Sequence, residues 1–155
     1  MINGRTGLIE YRDTIRSFQY ASAVAGDFNN DGTDDVLVHQ SELRRTQFAD
    51  EYFSYLLVFD FRNHKRYAIG DTMPATNLAT TPWIGDMDAD GELDIIYSAV
   101  KYDDIRFDLQ KPQGLLLGHY RTGIRFRRLP LWGAYMGSSY TSHYLRAKPD
   151  NDPQN

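Results

Sequence analysis

The sequence predicts an all-β protein assembled from a repeated antiparallel unit, and three observations carry that prediction. Aromatic residues make up 14% of the 155 positions, eleven Tyr and eight Phe among them, mixed with β-branched residues and with Gly, Asn and Asp turn signals. Such a mixture favours strands. No stretch keeps apolar residues at i, i+3, i+4 and i+7 for three turns without Gly, Pro or a β-branched run intervening, so helices are not expected. The chain also repeats itself. The run from Gly26 to Leu37 realigns without a gap onto the run from Gly85 to Ile96, and the same shift sets Leu56-Leu57-Val58 over Leu115-Leu116-Leu117.

Taken in order, the first candidate element is a hairpin over residues 2–11, with Asn3-Gly4 and Thr6-Gly7 supplying the turn. Alternation and bounded apolar runs then give four strands in the first copy, at 21–26, 35–39, 55–61 and 65–69. The second copy gives another four, at 81–85, 94–99, 114–120 and 123–129. Four antiparallel strands per repeated unit are what a β-propeller blade requires. The expected organisation is a half blade over 1–20, blades over 21–79 and 80–130, a closing segment rich in Gly and aromatics over 131–145, and a disordered polar tail over 146–155. About two and a half blades cannot close a ring that typically needs four to eight. A fragment of a larger propeller is therefore expected, with further blades or other chains completing the ring. Residues 40–54 and 100–113 read as long loops, where binding specificity usually sits.

Composition narrows the function. A net charge of -4 argues against nucleic acid, which needs an excess of Lys and Arg on one face. With no cysteine, a disulfide framework and a thiolate zinc site are both excluded. No apolar run approaches the ~20 residues that span a membrane. Residues 1–11 lack the basic start and apolar stretch of a signal peptide, so any targeting signal is expected to lie outside this chain.

The repeated core contains a loop with the chemistry of a calcium site. Calcium takes six to eight hard oxygen ligands, and a tightly wound loop supplies them from alternate positions. In the first loop these are Asp27, Asn29, Asp31 and Asp35, with Gly32 permitting a turn that aims the carbonyl of Thr33 inward. The second loop offers Asp86, Asp88, Asp90 and Asp94, with Gly91 at the turn and the carbonyl of Glu92 in the matching place. Neither loop contains an imidazole, which disfavours zinc and copper. Converging carboxylates repel one another unless a cation intervenes. Two bound Ca²⁺ ions, in a structural role, are the expected cofactors.

The plainer reading is that Asx-Gly clusters are only hairpin turns, but the match of nine positions in two copies favours metal loops. EF-hand and dockerin loops need a carboxylate at position twelve and a following helix. Here that position is Val38 in one copy and Tyr97 in the other, both inside predicted strands.

Asp-x-Asx-x-Asp-Gly-x-x-Asp followed by an apolar pair resembles the FG-GAP or VCBS repeats of integrin α-subunit propellers and many bacterial secreted proteins, the bacterial type being closer. The resemblance covers most of residues 2–129 and implies propeller blades with calcium. Family members include adhesins, lectins and propeller-shaped polysaccharide lyases. The turn at Gly4-Arg5-Thr6-Gly7 is also similar to that of quinoprotein-type propellers.

The remaining residues give no catalytic set. His39, His64, His119 and His143 have no spacing that suggests a shared site. Asp103, Asp104 and Asp108 read as a solvated acidic loop rather than acid/base groups or extra ligands. Arg121, Arg125, Arg127 and Arg128 could hold an acidic glycan, but their alternation with Ile124, Phe126 and Leu129 fits an exposed strand face. Trp83, Trp132, Tyr135 and Tyr140 read as blade packing in preference to a sugar platform. The expected function is non-enzymatic: a calcium-binding module for adhesion, scaffolding or assembly through protein or glycan. It is expected to be extracellular, on the cell surface or periplasmic, where millimolar calcium suits loops of moderate affinity. The alternative is part of a secreted carbohydrate-active or quinoprotein-type enzyme whose catalytic residues lie elsewhere.

Overall fold

Strands β1 (Val24–Gly26), β2 (Asp35–Arg45), β3 (Asp50–Asp60) and β4 (Lys65–Met73) form one antiparallel sheet in chain order. Strands β5 (Trp83–Gly85), β6 (Glu92–Tyr102) and β7 (Pro112–Arg125) form a second. The computed structural model describes residues 1–17, 21–45, 47, 50–102, 112–130 and 132–140. Among them there is no helix, as the sequence predicts.

Two expectations about strand extent need correction. Residues 40–54 are not a long loop: β2 and β3 stay paired as far as Arg45 and Asp50, forming a ribbon that projects beyond the sheet. Cross-strand contacts hold it. The Tyr55 hydroxyl donates to Glu42 Oε1 at 2.6 Å, and the Arg44 guanidinium lies 4.9 Å from the Phe53 ring centre. In the second unit the expected strands 114–120 and 123–129 are largely one, β7, so the sheet has three described strands rather than four. Gly123, at φ +68°, serves a bulge instead of a hairpin turn. Thr122 explains the continuation, because its hydroxyl donates to the Leu93 carbonyl at 2.6 Å and accepts from the Ile124 N–H at 3.1 Å.

The two sheets meet face to face through one core. Leu37, Leu56 and Val58 of the first pack with Leu93 and Ile95 of the second, joined by Val24, Phe28 and Ile84. Buried His39 meets the Tyr97 ring edge-on at 5.7 Å. The N-terminal hairpin forms as expected, with Ile2 bridged to Ile9 and Asn3 Oδ1 accepting the N–H groups of Arg5 and Thr6. It leads into Tyr11, which packs on Phe61 and His64 at the far side of the first sheet.

The closing segment links the two sheets. Ala25 N–H donates to the Trp132 carbonyl at 2.9 Å and Ile84 N–H to the Gly133 carbonyl at 2.7 Å, so this segment binds β1 and β5 together. A side chain at 133 would meet the Ile84 carbonyl at 2.3 Å, which restricts the position to Gly. The expectation that Tyr135 and Tyr140 are packed is not met; both are exposed. Their neighbours make tight turns, with Met136, Gly137 and Tyr140 at positive φ, which turns the chain away from the core. Asp103, Asp104, Asp108, His143 and the tail over 146–155 lie outside the described residues.

Registers reveal a displacement between the repeats that alignment does not. Leu37 and Ile96 correspond in sequence, yet Leu37 faces Val58 whereas Ile96 faces His119, not Leu117. The third strand of the second unit has thus slid by two residues relative to the first. A slide of two keeps each side chain on its original face, since strand side chains alternate with a period of two.

Candidate metal centre

Both loops wind in the same way. Asn30 and Ala89 have φ of 58° and 62°, and Gly32 and Gly91 have φ of 86° and 82°, so the left-handed positions recur in register. In the first loop, Asp27 accepts the N–H groups of Asp31 and Gly32, Asn29 accepts that of Asp31, and Asp31 accepts that of Thr33. In the second, Asp86 accepts from Asp90 and Gly91, and Asp90 accepts from Glu92. These bonds fix the orientation of the side chains within each loop. At the base of each loop the last aspartate turns back: Asp35 Oδ2 accepts the Phe28 N–H at 3.2 Å, and Asp94 Oδ2 accepts the Met87 N–H at 2.9 Å.

In the second loop Asp86, Asp88 and Asp94 can each bring an oxygen within 4.8 Å of the others. The first loop has Asn29 in place of Asp88 and draws in a carboxylate from outside. Val36 pairs with Phe59, which brings Asp60 across from Asp35 on the same face. Asp60 is buried, accepts from Asn63 N–H and Nδ2 and from Asn29 Nδ2, and is held below the usual carboxylate range, chiefly by the Asn63 N–H. Asn63 Nδ2 also lies 3.4 Å from Asp31 Oδ2. Sequence spacing misses Asp60, because only register brings it to the loop.

Asp35 and Asp94, the matching buried carboxylates of the two loops, experience opposite surroundings. Asp35 is fully buried, and its Oδ1 has no hydrogen-bond partner among the described residues. Burial, followed by repulsion from Asp60, pushes its pKa up to about 7. Tyr67 feels the same group of charges: burial, then Asp35, Asp60, Asp27 and Asp31, push its phenol up to about 12. Burial also raises Asp94, but the Met87 N–H, His119 and Arg121 outweigh it and hold this carboxyl below its ordinary value. His119 Nε2 is 2.8 Å from Asp94 Oδ1, and Arg121, directly across from Asp94, pairs with Asp88. Neither loop contains an imidazole of its own, but the register of β7 carries His119 to the second.

Other predicted groups are separated or neutralised. Arg128 binds Asp34 at 2.7 Å, so it joins Arg121 in serving the loops rather than a glycan surface. Arg62 donates to the Asp31 carbonyl at 2.6 Å. Trp83 packs over Gly85, where a Cβ would lie 2.5 Å from its ring. Ser54 Oγ lies 3.1 Å from His39 Nε2, and both residues are fully buried.

The donor set of the first loop fits a hard divalent cation. Asp27, Asn29, Asp31, Asp35 and Asp60 offer hard oxygens with neither thiol nor imidazole among them, although among the described residues it is Asp86, Asp88 and Asp94 of the second loop whose oxygens lie within 4.8 Å of one another. Compared with known proteins, the chain matches no family model, no curated protein and no solved structure.

Proposed function

We propose that this chain is a calcium-rigidified β-propeller segment of the FG-GAP or VCBS kind, acting outside the cytoplasm as a non-catalytic module for adhesion, scaffolding or assembly. The observation that carries the reading is Asp35, a buried carboxylate with one unpartnered oxygen among Asp27, Asp31 and Asp60. A divalent cation would supply the counter-charge that these neighbouring carboxylates lack. The repeated left-handed positions in the second loop support the same role there. Each ion would then fix the turn between the first two strands of its sheet.

The exposed surfaces support assembly. Leu115 and Leu117 on β7 are 67% and 72% exposed, whereas their sequence counterparts Leu56 and Val58 are buried beneath the neighbouring sheet. A further blade, from a longer chain or another copy, would cover them in the same manner. Exposed Tyr135 and Tyr140 suit a protein or glycan contact.

Thermal melting in calcium and in chelator tests the structural role. Calcium at about 100 times its dissociation constant stabilises a single-site protein by roughly 2.7 kcal/mol, and for a chain of this size that raises the melting temperature by about 5–10 °C. Asp31→Ala combined with Asp90→Ala removes the rise. Equal melting temperatures of the unaltered chain in both buffers contradict the reading.

A further inference from the structure

The two-residue slide of β7 gives the loops different closing groups. Opposite the buried carboxylate of the first loop is Asp60; opposite that of the second is Arg121. The slide also brings His119 to the position that Val58 holds in the first sheet. Asp35 Oδ1 consequently has no donor among the described residues, while Asp94 Oδ1 has His119 at 2.8 Å. Arg121 meanwhile engages Asp88, one of the three acids of the second loop that approach one another.

We propose that Asp60 is a ligand of the first calcium site, reached across the β2–β3 ladder, and that Arg121 and His119 occupy the corresponding ground in the second. The sites are therefore unequal: the first binds tightly, and the second binds weakly because its ion must displace two cationic or hydrogen-bonding groups. Calcium loops tune their affinity over decades through ligand charge and rigidity. Adding a carboxylate on one side and a guanidinium on the other moves the two loops in opposite directions on that scale. Sequence alignment makes the loops look alike because the groups that distinguish them come from the third strand.

This inference rests on the calcium reading, and calorimetric titration with CaCl₂ separates the two. The expected isotherm for the full chain has two steps, at least about tenfold apart in affinity. Asp60→Asn keeps the size of the side chain and weakens the tight step by roughly tenfold or more. Arg121→Gln leaves the tight step intact and strengthens the weak one. Should Asp60→Asn fail to fold, as circular dichroism would reveal, the Arg121→Gln titration decides alone. Two equal sites, or an Arg121→Gln isotherm identical to the parent's, overturn the inference while leaving calcium binding in place. An absence of heat for every variant, with no calcium-dependent melting shift, overturns the calcium reading as well.

Discussion

At Asp35 one carboxylate oxygen accepts the Phe28 N–H and the other accepts from none of the described residues, although the residue is fully buried. Asp35→Asn therefore acts with opposite sign in two buffers. In chelator it removes a buried charge facing Asp60 and raises the melting temperature; in calcium it removes a ligand and lowers it. The pH dependence has a definite sign too. Because the folded pKa is raised to about 7 from 3.8, the proton on Asp35 contributes stability that is full below about pH 4 and lost as pH rises through 7. The melting temperature of the parent in chelator, minus that of Asp35→Asn, should fall across this window. A flat difference contradicts the raised value. His39 slopes the other way: burial lowers its pKa to about 4 from 6.5, so its contribution holds above 6.5 and fades as pH falls through 4. The winding of the two acidic loops was legible in the sequence because alternate Asp and Asn with a central Gly is a local pattern. Asp60, His119 and Arg121 were not, since strand register places them and the spacing along the chain does not.

Strands show the same division between local and non-local information. Apolar runs such as Val36-Leu37-Val38 and Ile95-Ile96-Tyr97 marked β2 and β6 correctly, for both runs pair on two sides. Where strands leave the core their residues become charged and polar, as in Glu42, Arg44 and Arg45, and the pattern resembles a loop although cross-strand pairing continues. The fusion of two expected strands into β7 depended on the bonds of one hydroxyl, Thr122, which no periodicity reports. Gly118 on β7 gives a test at this scale. It lies opposite Tyr97, whose ring would be 2.2 Å from an added Cβ. Gly118→Ala should shift that ring out of the core and destabilise the chain by about 1–3 kcal/mol. Chemical denaturation measures this directly, and an unchanged midpoint would mean that Tyr97 does not pack there.

For the molecule as a whole, two sheets share one core and one closing segment, and the outer face of β7 keeps its leucines in solvent. Replacing Leu115 and Leu117 together by Ser should change the stability of the isolated chain by no more than about 0.5 kcal/mol per site, as for other surface positions. If that face receives another blade, the same pair of changes reduces concentration-dependent association in sedimentation velocity. The central claim is that the first loop holds calcium. A crystal structure grown with calcium, with an anomalous difference map, tests it most directly. The predicted result is an ion bounded by oxygens of Asp27, Asn29, Asp31, Asp35 and Asp60 at about 2.3–2.6 Å. A first loop without an anomalous peak at saturating calcium, with Asp35 Oδ1 bonded to water or protonated, would contradict it.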